Sequence, residues 1–253
     1  LHRNWGRLMG LVFLVPFVIF LRKGLLSGWL RKRSWAILVG GGAVGALGWF
    51  MVASGLQDDP DVSHYRLAIH LCAAFTVFCL VLWTVLDLRN ERRSFTSDRT
   101  PAARWARGIL LLLVVQIIWG AFTAGLDAGH MYNTWPLMNG EMMPQNVTAF
   151  GNLWQDFTDH RDGVQFIHRN LAWLVAAACV GFAVHFRDVP GVRPVHTLLI
   201  AAVCLQFALG VATILTHVHI VLGVLHQLGA LVLLAVLLAA VHGTGVRVTA
   251  NAA

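Results

Sequence analysis

Histidines with repeated surroundings are the most informative chemical feature of this chain. Four of the twelve histidines recur in two similar contexts, two in each half of the 253 residues. HRNWGRL in the first half matches HRNLAWL in the second, and LAIHLCAA matches GVLHQLGA more loosely, with an ALG tripeptide between the two in each half. Motifs that keep the same order indicate a duplicated helical unit. The four residues are His2, His70, His168 and His226.

The chemistry that suits these histidines is iron ligation. A neutral imidazole in an apolar helix needs a partner for its lone pair, and a metal supplies one. Two histidines on facing helices of a bundle can hold one heme iron between them. A single membrane histidine is as often a hydrogen-bonded contact between helices, but four at repeat-related positions favour ligation. The sequence therefore predicts two bis-histidine heme sites.

Three arginines accompany these histidines. Arg3 and Arg169 directly follow two of them, and Arg66 lies one helical turn before His70. The guanidinium fork matches a carboxylate, so these arginines are candidate partners for heme propionates. The alternative is that they extend towards the membrane interface or position acidic loop residues.

Composition indicates the elements that must carry these residues. The chain is 57% hydrophobic and 12% charged, with a mean hydropathy of +0.67, which is far more apolar than a soluble domain. Crossing a bilayer takes about 20 apolar residues in a helix. We therefore predict an all-α integral membrane protein whose environment is the lipid bilayer. The apolar stretches lie near 4–21, 35–56, 65–86, 105–126, 164–186, 195–216 and 219–242.

The cations predict the orientation of these helices. Fourteen of the nineteen Lys and Arg residues fall at alternate connections, which the positive-inside rule assigns to the cytoplasm or matrix. The net charge of +7 thus follows the membrane topology and gives no reason to expect nucleic acid as a partner. The other connections, 57–64 and 127–163, hold most of the acids and are predicted to be external. All four histidines then lie towards the outer face, and His2 and His168 are expected to begin their helices there. The long 127–163 loop is expected to fold over the outer helix ends.

The two halves differ in helix number. Four apolar stretches lie in the second half, whereas three precede a basic segment at 88–104. We expect seven visible helices of an eight-helix protein, built from two pseudo-repeated four-helix bundles. The predicted divisions are an N-terminal half-bundle at 1–87, an inner linker at 88–104 and a C-terminal bundle at 105–242.

Longer motifs resemble one family. HRNWGRLMGLVFLVPF, GWFMVASGL, VSHYRLAIHL, GAFTAGLDAGHMYNTWPLM, VQFIHRNLAW and HQLGAL follow one another as they do in heme A synthases of the proteobacterial and mitochondrial form. The resemblance extends over essentially the whole chain. It implies an eight-helix enzyme of the bacterial or mitochondrial inner membrane that converts heme O to heme A by oxidising a ring methyl to a formyl group.

The resemblance also implies roles and partners. It assigns His2 and His70 to the substrate heme, and His168 and His226 to a heme b cofactor. The catalytic glutamate of the family lies three residues before the first histidine, upstream of Leu1. The heme O-producing farnesyltransferase and an unidentified electron donor are expected partners, and homo-oligomerisation stays open.

Two other classes compete with this interpretation. A di-heme membrane electron carrier would need the same histidines and helices, but the long 127–163 loop and the family motifs favour the enzyme. A repeat-built transporter is less favoured, because the repeats run in parallel with their histidines at one depth.

Overall fold

The computed structural model describes residues 2–53, 63–90 and 100–245, and within them the regular structure is helical apart from one isolated bridge. Seven helices are long and apolar enough to cross a membrane, and each contains most of one predicted apolar stretch. The prediction of an all-α integral membrane protein is confirmed. The helices are α1 (His2–Arg22), α2 (Gly28–Ala53), α3 (His64–Arg89), α4 (Pro101–Gly125), the short α5 (Leu153–Thr158), α6 (Arg161–His185), α7 (His196–Leu215) and α8 (Ile220–Gly243).

The helix surfaces are those of a multi-pass membrane protein. Large apolar side chains point outward along several helices, among them Val12 and Val39 in the first half and Leu111 in the second, each about two-thirds exposed. A helix that is apolar on its outer face is stable in lipid, where all its backbone groups are paired within the helix.

The chain forms two compact units, Leu1–Ser94 and Phe95–Ala253, and their boundary falls inside the 88–104 segment. In the first unit, α2 packs against both α1 and α3. A buried ion pair joins Arg33 of α2 to Asp87 of α3 near one end of the hairpin. The pairing matters because an isolated charge at this depth would be strongly destabilising.

The second unit is a four-helix bundle. Helices α4 and α7 each contact both α6 and α8, which closes the ring. Fully buried side chains such as Phe182, Leu199, Leu233 and Leu237 fill one half of this bundle. No residue of 166–174, 204–215 or 220–232 is buried, so in the other half α6, α7 and α8 are packed less densely.

The segment between α4 and α6 folds back onto the bundle, as predicted. The amide of the buried Gln165 in α6 accepts from Tyr132 N at 3.1 Å and donates to Tyr132 O at 3.1 Å. Tyr132 also donates its hydroxyl to Asp162 at 3.0 Å, and Asn133 donates to the Ile214 carbonyl at the end of α7 at 3.0 Å. Burial, followed by the hydrogen bond and charge of Asp162, raises the pKa of Tyr132 to about 12. We call residues 126–160 the outer cap, after the side of the membrane that the sequence predicts for them.

One expectation about position was wrong. His168 was expected to open its helix, but α6 begins at Arg161, seven residues earlier, because residues 126–160 pack against Asp162 and Gly163 in its first turn. His70 and His226 each lie six residues after the first residue of their helices. The predicted 57–64 loop, apart from its last two residues, and positions 91–99 of the 88–104 linker lie outside the described residues.

Candidate heme-binding sites

Each unit places a histidine against a glycine of a neighbouring helix. In the second unit, an ideal Cβ on Gly210 of α7 would lie 2.9 Å from Cε1 of His226, 3.4 Å from Nδ1 and 3.6 Å from Nε2. In the first unit, a Cβ on Gly48 of α2 would lie 3.0, 3.5 and 3.7 Å from the same atoms of His70. The two distance sets agree to 0.1 Å at every atom. The repeated ALG motif thus ends in the residue that makes room for the imidazole, and the duplication extends to side-chain geometry.

His168 also lies against a glycine of a neighbouring helix. We call a glycine that makes room for an imidazole in this way a seat, and Gly48, Gly120 and Gly210 are the three seats. A Cβ on Gly120 of α4 would lie 3.1 Å from Cε1 of this imidazole. The amide of Gln116, one turn before Gly120, has Nε2 at 3.2 Å from His168 Nδ1 and 3.1 Å from the His168 carbonyl oxygen. Small residues allow close approach of neighbouring helices in membranes, and here that approach positions an imidazole.

In the second unit a glutamine amide one turn before the glycine lies beside each ring. Nε2 of Gln116 is 3.2 Å from Nδ1 of His168, and Nε2 of Gln206 is 3.5 Å from Nε2 of His226. Histidines that ligate metals commonly donate their second ring N–H to a carbonyl or carboxylate, which fixes the tautomer and the ring orientation. The two glycine positions of the second unit therefore have a polar group beside each imidazole, as expected of iron ligands.

The second unit brings its two histidines together. His168 lies on α6 and His226 on α8, and their ring centroids are 6.4 Å apart with planes at 87°. A metal–imidazole bond of about 2.0–2.1 Å, with about 1.1 Å from nitrogen to ring centre, gives about 6.2–6.4 Å between rings that share one metal. The observed separation is the one expected of two imidazoles that would ligate one shared metal ion.

Unpaired polar atoms support this fit. Nδ1 of His226 is buried and lacks a regular hydrogen bond within the described part of the chain, and the same is true of Nδ1 of His70. An unsatisfied buried polar atom costs about 1–3 kcal/mol, so a ligand that satisfies it stabilises the site. The pair also lies in the less densely packed half of the bundle, between the dense half and the outer cap.

His2 is less enclosed than the other three histidines. It is the first described residue of α1, and its side chain is exposed. Its role as a ligand stays a prediction.

The candidate arginines have different surroundings. Arg169 donates to the carbonyls of Thr134 at 2.9 Å and Pro136 at 3.2 Å, so it fastens the outer cap to α6. Arg66 lies over the ring of Phe50 at 5.2 Å, and Arg3 is exposed on α1. Contact with heme propionates stays a prediction for all three.

Comparison with known proteins identifies the family. The family described as cytochrome oxidase assembly protein matches residues 1–238. A heme A synthase of Maricaulis maris is 43% identical over 241 residues, covering 94% of this chain and 70% of the relative. This chain belongs to the heme A synthase family. Heme A synthases of Flavobacterium psychrophilum and Flavobacterium johnsoniae are 44% and 41% identical, covering 92% and 95% of this chain and 70% and 72% of those proteins. Membership of the heme A synthase family makes this chain an enzyme.

Sequence reasoning missed the residues that support the histidines. It used the ALG repeat as a marker of duplication but gave Gly48 and Gly210 no role, and it overlooked Gly120. A usable signal was present, because QIIWG at 116–120 and QFALG at 206–210 share a glutamine four residues before the glycine.

Proposed function

We propose that this chain is a heme A synthase that oxidises a ring methyl of heme O to a formyl group. Two hydroxylations would convert the methyl to an alcohol and then to a gem-diol, which loses water to leave the aldehyde. Each hydroxylation would take one oxygen atom from O₂, with two electrons and two protons reducing the other to water. The observation that carries the proposal is the matched pair of histidine seats in a chain of this family.

We assign the two units different tasks. The imidazoles of His168 and His226 would hold heme b, which supplies electron transfer when bound. His70, with His2, would hold the substrate heme. The 6.4 Å separation of the second pair and the exposure of His2 support this division, because a resident cofactor needs an enclosed site and an exchanging substrate needs an open one.

Orientation and membrane follow from the same proposal. We place the protein in the bacterial inner membrane, or the mitochondrial one in a eukaryote, with both sites towards the outer face. The outer cap would then cover the end of the second bundle and limit access of water to it. An electron donor and the enzyme that makes heme O would meet the protein in or at this membrane.

The decisive experiment compares single histidine variants. Cells that also make heme O are extracted, their hemes are separated by chromatography, and the purified proteins are examined by absorption spectroscopy. We expect His70→Ala to abolish heme A formation and to retain heme b. Both His168→Ala and His226→Ala should lose the low-spin heme b spectrum. Normal heme A yield in His70→Ala would overturn the substrate assignment, and a wild-type protein that binds both hemes but makes no heme A would favour an electron carrier.

A further inference from the structure

Two glutamines occupy matching positions beside the histidines of the second unit. Gln116 lies four residues before Gly120, and Gln206 lies four residues before Gly210. Nε2 of Gln116 is 3.2 Å from Nδ1 of His168, while Nε2 of Gln206 is 3.5 Å from Nε2 of His226. In each pair the amide contacts one ring nitrogen and leaves the other available to a metal.

The first unit lacks this feature at the equivalent position. Gly48 seats His70 as Gly210 seats His226, to within 0.1 Å at each ring atom, but the residue four before Gly48 is Val44. The comparison concerns the side chain at this position, since the glycine and the imidazole have the same relative placement in the two units. At this matched position the second unit therefore has an amide where the first unit has an apolar side chain.

Burial of these two amides is energetically unfavourable unless their oxygen atoms gain a hydrogen-bond partner. Oε1 of Gln116 and Oε1 of Gln206 are buried and have no hydrogen-bond partner among the described residues. A buried unsatisfied oxygen costs about 1–3 kcal/mol, and a leucine would fill a similar volume without this cost. Gly229 of α8 also makes room for Gln206, because a Cβ there would lie 2.2 Å from its Oε1.

Iron ligation would give these oxygens a partner. An imidazole that binds iron through one nitrogen keeps its proton on the other, so that nitrogen becomes a donor. The two ends of a glutamine amide have the same shape, so the amide can present its oxygen to this N–H. At Gln116 this rotation gives up the hydrogen bond from Nε2 to the His168 carbonyl in exchange. Such outer-sphere hydrogen bonds orient the ligand and increase its basicity.

We propose that Gln116 and Gln206 are positioning residues for the two heme b ligands. Val44 cannot form such a hydrogen bond to His70 in the substrate site. The inference rests on the proposed assignment of heme b to His168 and His226. It explains how two sites of common origin can differ in retention, with one heme kept and the other released as product.

The test measures heme b in purified full-length protein carrying Gln116→Leu or Gln206→Leu. Removal of an outer-sphere partner typically weakens metal affinity 10–100-fold, so we expect heme b dissociation to accelerate by about that factor. A ten-fold loss of affinity that is confined to ferric heme b would raise its midpoint potential by about 59 mV. Gln206→Glu, which keeps an acceptor oxygen, should restore retention, and Val44→Leu is the matched control that should leave heme b unchanged.

A second pair of variants guards against misfolding. Gly229→Ala displaces the Gln206 amide without removing it, whereas Gly223→Ala on the same helix meets nothing within 4 Å. We expect faster heme b loss and a shifted potential in the first and neither change in the second. Unchanged dissociation and potential in both leucine variants would overturn this inference, while heme b retained in His168→Ala and His226→Ala would overturn the site assignment itself.

Discussion

Replacement of Gly210 by alanine tests whether the glycine seat positions an iron ligand. The added Cβ would lie 2.9 Å from Cε1 of His226. Two carbon atoms in favourable contact are about 3.5–4.0 Å apart, so the ring or the helix must move by about 0.6–1.1 Å. The ring is held between α7 and α8, which share the most extensive helix contact in the unit, so this movement falls largely on the imidazole.

We expect Gly210→Ala to disturb heme ligation more than it disturbs folding. Overpacking costs about 1–3 kcal/mol, partly offset by the gain of about 1 kcal/mol from alanine in a helix. Metal–ligand distances, by contrast, are defined to about 0.2 Å. A displacement several times larger than that tolerance should break the bond between His226 and iron in a protein that still folds.

The assay is the low-spin heme b spectrum and the heme content of purified Gly210→Ala protein, with thermal unfolding as the measure of folding. We expect the low-spin spectrum to be lost or converted to high spin, with a modest change in the unfolding midpoint. Gly223→Ala on α8, where a Cβ meets nothing within 4 Å, is the control and should keep wild-type heme. Full retention of the low-spin spectrum in Gly210→Ala would refute the argument that the seat fixes the ligand.

Three further predictions concern the outer cap, the buried ion pair and the topology. Because the pKa of Tyr132 is raised to about 12, stability should fall as pH rises from about 10 towards 12, and Tyr132→Phe should remove that dependence in thermal unfolding measured against pH. Asp87→Leu leaves the charge of Arg33 buried and should lower the free energy of unfolding by about 3–5 kcal/mol. The double variant with Arg33→Leu should recover most of that loss in chemical unfolding, and equal losses in the two proteins would argue against pairing. A reporter fused after Arg93 should be cytoplasmic and one after Gly140 external, and the reverse pattern would overturn the orientation.

The sequence by itself determined the class of protein and the positions of its helices. Most of each of the seven predicted apolar stretches lies in one membrane-length helix, with most ends displaced by only a few residues. The reason is that transfer of a helix into lipid depends on the summed hydropathy of its own residues, which requires no knowledge of neighbours. The duplication was also visible, because His2 and His168 open matching motifs.

The start of α6 shows where local information was insufficient. The polar residues 161–163 resemble loop, and the apolar stretch begins after them. In the structure they belong to the helix because the outer cap buries Asp162 and packs against Gly163, whose ideal Cβ would lie 1.9 Å from the Asp156 carbonyl oxygen. A helix end that is stabilised by a segment packed over it cannot be located from hydropathy alone.

Only the tertiary structure decided which residues serve the histidines. The chain has 24 glycines, and a Cβ on several of them, such as Gly45, Gly181 and Gly223, would meet nothing within 4 Å. Gly48 and Gly210 differ from these because another helix brings an imidazole against them. The residues around a glycine in the sequence indicate which backbone conformation it adopts. Its contact with an imidazole depends instead on which side chain packs against it from a distant part of the chain.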